Sequence, residues 1–259
     1  MKRVLIIGSE GQLGMCIQKI HKEFKDVHFV FTKKNELDIT KKDSVDDFFG
    51  KQAFDFCINC AAYTKVDQAE KEPKKAFMVN AEGVKNIATA CKENNVTLIH
   101  ISTDYVFDGE KRTPYTVEDI PNPINVYGKS KLKGEQYIQE ILESYFIIRT
   151  SWLYSEFGNN FYKAILEKAK TEKTIYVTDD QIGCPTNTNN LAEFIIKAIN
   201  TDDIENRVYH FCDGKSITWY DFAKEILEEN NLKNKVNLVK ATNYVTFAKR
   251  PKNSVLSNK

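Results

Sequence analysis

The chain has 259 residues, of which 42% are hydrophobic, and 37 basic side chains against 36 acidic ones leave a formal net charge of +1. That balance offers no field for nucleic acid or for an acidic surface, and no apolar run approaches the ~20 residues of a membrane span. The length suits one large domain, or one domain with a modest appendage. Met1-Lys2-Arg3 is followed by only four apolar residues, too few for a secretory signal, so a cytoplasmic protein is expected. The six cysteines, Cys16, Cys57, Cys60, Cys91, Cys184 and Cys212, are read as buried free thiols of a reducing compartment. Cys57 and Cys60 have metal or redox spacing, but on a strand they point to opposite faces.

Val4 to Ile7 are four branched apolar residues in a row, as in a strand buried on both faces of a parallel sheet. Gly8, Gly11 and Gly14 follow at a spacing of three, and then a helical pattern through Ile17, Ile20 and Phe24. Gly8 permits the tight exit from the strand, Gly11 lets backbone approach a pyrophosphate, and Gly14 lets the helix pack close to the sheet. The free N–H groups at the helix start, aided by its dipole, would face the phosphates. A second strand, Val27 to Phe31, ends in Thr32, Lys33 and Lys34 where the adenosine ribose is expected. Cations there suit a 2′-phosphate and favour NADPH over NADH; two lysines that only solvate a loop are the competing reading. Leu37-Asp38-Ile39-Thr40 follows, with Thr40 expected as the N-cap of a helix carrying Val45, Phe48 and Phe49.

Phe54 to Ala62 reads as the next strand and its exit, where small residues would let a cofactor lie against the backbone. Val66-Asp67 opens a polar helix that ends before Pro73, and a long amphipathic helix then runs through Ala76, Val84 and Cys91 with the polar Asn80 on its buried side. The strand from Val96 to Ile101 delivers Ser102, Thr103, Asp104 and Tyr105 at its carboxyl end, where parallel sheets bind ligands. His100, inside that strand, is read as a satisfied core histidine. Tyr127 and Lys131 are one helical turn apart on a shared face. A phenol titrates near ~10 and a neighbouring ammonium lowers that value, so the pair can pass a proton to an alkoxide. Beyond Thr150 the elements shorten: helices from Phe161, Leu191 and Trp219, strands at Thr174 to Val177 and Val208 to Phe211, and no repeat or flexible linker.

The glycine spacing resembles the extended short-chain dehydrogenase/reductase superfamily, and Val79-Asn80-Ala81-Glu82-Gly83 resembles its Val-Asn-x-x-Gly element. With Ala61-Ala62-Tyr63-Thr64, the run from Ser102 to Gly109, Tyr127 to Lys131, Arg149 to Tyr154, Arg250-Pro251 and Ser254, the chain resembles the dTDP-4-dehydrorhamnose reductases from residue 3 to about residue 257. The resemblance implies an α/β fold, a Rossmann-like doubly wound parallel sheet with a smaller C-terminal substrate lobe. Residues 1–150 would form the NAD(P)-binding domain, with small later returns to it, and 151–259 mainly the substrate lobe. It implies NADPH or NADH as cofactor and reduction of the C4 ketone of dTDP-4-dehydro-L-rhamnose. Tyr127 would give the proton, Lys131 would lower the phenol and hold the nicotinamide ribose, and Thr103 would assist. Cofactor contacts would come from Gly8, Gly11, Gln12, Leu13, Gly14, Asp38, Ile39, Ala61, Ala62, Tyr63, Thr64 and Ser102, with Tyr127 and Lys131. Val66, Thr103, Asp104, Tyr105 and Trp152 would line the sugar-nucleotide pocket.

The resemblance admits a homodimer and gives no nucleic-acid or membrane partner. Some relatives bridge subunits through a metal held by glutamates. Asn187-Thr188-Asn189-Asn190 has no carboxylate, so no metal is expected there. The chain stops soon after Ser254, where relatives usually carry a further short segment; either some contacts to the nucleotide end are missing or the terminus is simply short here. Two rivals stand beside the reductase: a sugar-nucleotide epimerase or dehydratase of the same superfamily, and a non-catalytic subunit resembling the regulatory subunit of methionine adenosyltransferase. Tyr105 stands where a dehydratase needs a glutamate.

Overall fold

The computed structural model describes residues 1–201, 207–241 and 246–258. The first half runs β1 (Lys2–Ile7), α1 (Gln12–Ile20), β2 (Val27–Thr32), α2 (Lys42–Phe49), β3 (Phe56–Asn59), α3 (Val66–Lys71), α4 (Pro73–Phe77), α5 (Gly83–Glu93), β4 (Thr97–Thr103), α6 (Val126–Ile141) and β5 (Tyr145–Thr150). The second half adds β6 (Leu153–Tyr154), α7 (Phe161–Thr171), β7 (Thr174–Val177), β8 (Ile182–Gly183), β9 (Thr186–Asn187), α8 (Thr188–Thr201), β10 (Arg207–His210), β11 (Ile217–Thr218), α9 (Trp219–Glu229) and β12 (Asn237–Lys240). The central sheet has the order β10-β5-β4-β3-β1-β2 and every pairing in it is parallel. The order turns at β1, which has β2 on one side and β3 on the other. A ligand crevice belongs outside the carboxyl ends of the strands at that point.

The apolar run of β1 explains why the sheet is wound on both faces. Leu5 and Ile7 face a core made with Val45 of α2, Val84 and Ile87 of α5 and Ile138 of α6. Val4 and Ile6 face the opposite core, made with Leu13 and Ile17 of α1 and Leu191 and Ile195 of α8. All four are buried, as alternation along a two-faced strand requires. Cys57 joins the first core and Cys60 packs against the second, so the two thiols do point apart, and all six cysteines are free.

Several boundaries differ from the sequence expectation. Helix α1 ends at Ile20, and a short 3₁₀ turn, His21–Glu23, precedes Phe24. The amphipathic stretch from Pro73 to Glu93 is not one regular helix: a single π-helical turn, Met78–Glu82, joins α4 to α5 and carries Asn80. After residue 150, β10 returns to the edge of the central sheet beside β5, and α8 packs on α1. Elements of the C-terminal part build a third core around Ile165, Ile175, Val177, Phe222 and Ile226. Among the described residues, no helix is long and apolar enough to cross a membrane.

A buried ion pair clamps α6 to the sheet. Arg149 Nη2 lies 2.7 Å from Glu135 Oε2, with the two side chains 5% and 1% exposed. Arg149 Nε also donates to Glu135 Oε1 at 3.1 Å, and the Ser102 hydroxyl donates to the same oxygen. Removing one member of such a pair strands a charge out of water. Glu135→Ala is therefore expected to cost about 3–5 kcal/mol of unfolding free energy, read from urea denaturation; a loss below ~1 kcal/mol would contradict the buried clamp.

Candidate active site

The glycine turn leaves β1 through Gly8, whose φ of +78° lies in the left-handed region and where an added Cβ would stand 2.8 Å from Ala61 N. Only glycine lets this turn meet the exit of β3 so closely. Gly11 N then donates to Gly8 O at 3.0 Å, and Gly11 caps α1 without a side-chain bond. A cavity of about 320 Å³ opens here, lined by Gly8, Gly11, Asp38, Ile39, Ala61, Ala62 and Tyr63, with Lys34 at its rim. Leu13 and Gly14 are buried behind the turn, and Thr64 is exposed beyond it. Gln12 reaches the other way. Its Nε2 donates to Thr188 Oγ1 at 2.9 Å and its Oε1 accepts from Asn160 at 2.7 Å, tying the turn to α7 and α8.

The two lysines after β2 are not equivalent. Lys33 pairs with Glu10 at 3.4 Å, while Lys34 lines the cavity. Thr40 does not cap α2. Its hydroxyl and N–H both bond to Asp38 Oδ1, at 2.7 and 3.1 Å, and Lys41 stands at the cap position without a side-chain bond. The short Asx turn outcompetes the cap. Asn80 secures the far wall: Oδ1 accepts from Tyr63 N at 2.7 Å, and Nδ2 donates to Tyr63 O and to Ser130 Oγ, both at 3.0 Å.

Strand β4 delivers Thr103, Asp104 and Tyr105 beside the start of α6. Asn125 Oδ1 caps that helix by accepting from Gly128 N at 2.7 Å. A Cβ on Gly128 would stand 2.1 Å from Tyr105 O, so the helix rests directly on the exit of β4. This contact brings the Tyr127 phenol to the Thr103 hydroxyl and sets its ring edge-on to Tyr105, centroids 5.8 Å apart. Thr103 Oγ1 donates to Asp104 Oδ1 at 2.9 Å and accepts from Tyr105 N at 3.1 Å. Burial pushes the Tyr127 phenol up to about 12, against the opposing Thr103 bond. The same cause raises the Asp104 carboxyl to about 6, and its Oδ2 has no partner of hydrogen-bonding geometry.

Lys131 lies on the same face of α6 but does not touch the phenol. Its Nζ donates to Ile101 O at 2.6 Å and contacts His100 Nε2 at 3.2 Å. Burial brings this amine down to about 8. The expected lowering of Tyr127 by a lysine charge is therefore not what the structure shows; the phenol is raised. Ser102 also departs from expectation. Its hydroxyl is taken by Glu135 and it is buried, so it presents no hydroxyl to the crevice. Val66 opens α3, which packs on α6, and Asp67 beside it holds Arg250 through two bonds of 2.6 and 3.1 Å.

Trp152 sits at a φ of +46°, with one face stacked on Trp219 at a centroid distance of 3.4 Å. Sequence reading missed Trp219, 67 positions away, because nothing local marks the partner of a stack. It also missed a second cavity of about 290 Å³ in the C-terminal lobe, where Trp219, Phe161, Lys168 and Arg250 are among the lining residues.

A doubly wound sheet, a glycine turn at its switch point and a Tyr-Lys helix face over the end of β4 define a dinucleotide-binding protein of the short-chain dehydrogenase/reductase class. The family model described as the RmlD substrate binding domain matches residues 1–259, and the chain belongs to that family. It is 41% identical to a dTDP-4-dehydrorhamnose reductase of Aggregatibacter actinomycetemcomitans, over 99% of this chain and 90% of that protein. The dTDP-4-dehydrorhamnose reductase of Escherichia coli K12 is 36% identical over 98% of this chain and 89% of its own length. The crystal structure of the Bacillus anthracis dTDP-4-dehydrorhamnose reductase in complex with NADP superposes with a TM-score of 0.94 at 40% identity, covering 100% of this chain and 92% of that one.

The dinucleotide fits the residues present, since a backbone cradle at Gly8 and Ala61 leaves no room for a Cβ where a pyrophosphate would approach. Lys34→Ala is expected to weaken NADP⁺ binding about tenfold or more while leaving NAD⁺ nearly unchanged, read by calorimetry; an equal loss for both cofactors removes the reading of a 2′-phosphate by Lys34. The Asp104 carboxyl holds its proton more tightly folded than unfolded. Its contribution to stability is then full below ~3.9 and is lost as pH rises through the folded value. Asp104→Asn should gain on the native protein by on the order of 2 kcal/mol between pH 4 and pH 7, read from unfolding at both; a constant difference would show an ordinary carboxyl.

Proposed function

We propose that this chain catalyses the NAD(P)H-dependent reduction of the C4 ketone of dTDP-4-dehydro-L-rhamnose to dTDP-L-rhamnose. The observation that carries the reading is the Tyr127 phenol against the Thr103 hydroxyl, at the carboxyl end of β4 and beside the dinucleotide crevice. The reductase relatives, 36% and 41% identical over nearly the whole chain, support it over an epimerase or a non-catalytic subunit. The free thiols fit a reducing location such as the cytoplasm.

The reduced nicotinamide, when bound, supplies the hydride. Tyr127 is the general acid. A phenol pushed up to about 12 carries its proton at neutral pH, which reduction requires. Thr103 orients that phenol through its hydroxyl oxygen. Asp104 accepts from Thr103 and so fixes which way the hydroxyl points. Lys131 serves the nicotinamide ribose side of the crevice, while Gly8, Gly11, Ala61 and Ala62 cradle the pyrophosphate and Asp38 and Ile39 meet the adenosine.

The sugar nucleotide lies between β4 and the C-terminal lobe, against Val66, Tyr105 and Trp152. The lobe cavity, with an aromatic floor at Trp219 and the cations Lys168 and Arg250, suits the nucleotide half. Arg250 connects it to the reacting end, since it also acts on Tyr105, the neighbour of Tyr127.

The deciding experiment is NADPH consumption with dTDP-4-dehydro-L-rhamnose, in the native chain and in Tyr127→Phe. The substitution is expected to cost about 10²–10⁴-fold in kcat. An unchanged rate would unseat Tyr127, and no turnover by the native chain would unseat the reaction.

A further inference from the structure

Asn125 is more than a helix cap. Its side chain is buried, at 2% exposure, and both ends of its carboxamide are engaged. Oδ1 accepts from Gly128 N at 2.7 Å and so holds the first turn of α6, in which Tyr127 lies. Nδ2 donates to Lys249 O at 2.9 Å. The partners settle the orientation of the amide, because a backbone N–H only donates and a carbonyl only accepts. A cap needs one oxygen, which serine or aspartate supplies about as well. The second bond asks for the carboxamide, and it leads to the C-terminal segment.

That segment, residues 248–254, crosses the reacting end of the molecule and is held along its length. Asp67 of α3 accepts from Ala248 N at 2.9 Å, and from Arg250 Nη1 and Nη2 at 3.1 and 2.6 Å. The loop after β4 presses on it at Gly109, whose φ is +84° and where a Cβ would stand 2.6 Å from Lys252 N and from Pro251 Cα. It also lies along β8, since Ile182 N donates to Lys252 O at 2.8 Å and Ser254 N to Ile182 O at 2.9 Å. Ser254 bonds the Asp104 carboxyl, and Arg250 acts on Tyr105 while lining the lobe cavity.

We infer that residues 248–254 form a strap that carries the engagement of a sugar nucleotide to the proton donor, with Asp67 and Asn125 as the positioning residues that anchor it. The route is short. Asp67 fixes Ala248 and Arg250, and Lys249 lies between them. The Lys249 carbonyl sets the direction of Asn125, whose oxygen sets the first turn of α6 and with it Tyr127. Three consecutive residues bonded in this way cannot shift one at a time. A second link from α3 bypasses the strap: Glu70 accepts from Val126 N at 2.7 Å. The two routes predict different couplings between Asp67 and Asn125. The consequence for turnover rests on the reductase reading, but the mechanical link does not.

The experiment is a double-mutant cycle in the full chain with NADP⁺ bound. Asp67→Ala releases one anchor, and Asn125→Ser releases the other while keeping a cap oxygen. The first readout is hydrogen exchange at the Gly128 amide, followed by NMR. Asp67→Ala is expected to speed it about threefold or more, and to add nothing once Asn125→Ser is present. The second readout is kcat/KM for dTDP-4-dehydro-L-rhamnose. It should fall about tenfold in either single variant and no further in the double, with NADP⁺ affinity unchanged throughout. Unaltered Gly128 exchange in Asp67→Ala overturns the inference. So does an Asp67→Ala effect that persists in full beside Asn125→Ser, which is the signature of the Glu70 route. A loss of NADP⁺ affinity that matches the loss of kcat/KM also overturns it, because general loosening moves both. If Asn125→Ser does not fold, Glu70→Ala takes its place, and the Asp67→Ala effect on Gly128 must then survive undiminished. A native chain that does not turn over the sugar nucleotide counts against the reductase reading only, since the exchange cycle needs no substrate. An active chain with additive effects counts against the strap only.

Discussion

The placement of the site depends on the contact between Glu135 and Arg149. Each charge would be costly alone in the interior, and together they pair with bidentate geometry through Arg149 Nε and Nη2, while Ser102 takes a further carboxylate lone pair. The pair spans α6, β4 and β5. It fixes how far α6 can rotate or slide over the end of the sheet, and with it the distance from the Tyr127 phenol to Thr103. Gly128, pressed on Tyr105 O, allows that approach; Glu135 holds it.

Two buried asparagines carry the same logic toward the cofactor. Asn59 turns the end of β3 into a fixed N–H acceptor under Ala61, and Asn80 pins Tyr63 from the π turn while bonding Ser130 of α6. The π turn also presses its own backbone onto α6, where the Asn80 carbonyl lies in the space that only the missing side chain of Gly134 leaves open. The cofactor wall and the catalytic helix are therefore one hydrogen-bonded body, and a shift in either is felt by the other.

The sequence made the fold legible where the physics is local. Val4 to Ile7 before Gly8, and the small residues at Ala61 and Ala62, announce a strand buried twice and a backbone that admits phosphate. Tyr127 and Lys131 announce a shared helix face. Side-chain direction at the end of a long stem is not local. Lys131 bends to Ile101 and His100, Ser102 turns to Glu135, and Thr40 prefers Asp38 to a helix end, each because a partner distant in sequence or a shorter turn wins. The Trp152–Trp219 stack and the lobe cavity were invisible for the same reason: both are made by residues that the sequence separates widely.

One cause acts on four titratable groups around this end of β4. Desolvation raises the Tyr127 phenol and the Asp104 carboxyl, and lowers the Lys131 amine and the His100 imidazole. All four move toward their uncharged forms. The site keeps the phenol and the imidazole uncharged at neutral pH and leaves the carboxyl and the amine mostly ionised, so the charge that develops on a ketone oxygen meets a few fixed charges in a weakly screening interior. It also places a carboxyl at about 6 and an amine at about 8, on either side of neutrality. Groups so placed can exchange protons at little cost, whereas a fully solvated aspartate and lysine would stay ionised throughout. Burying the end of β4 beneath α6 is thus both what holds the phenol in position and what prepares its neighbours to respond when it gives up its proton.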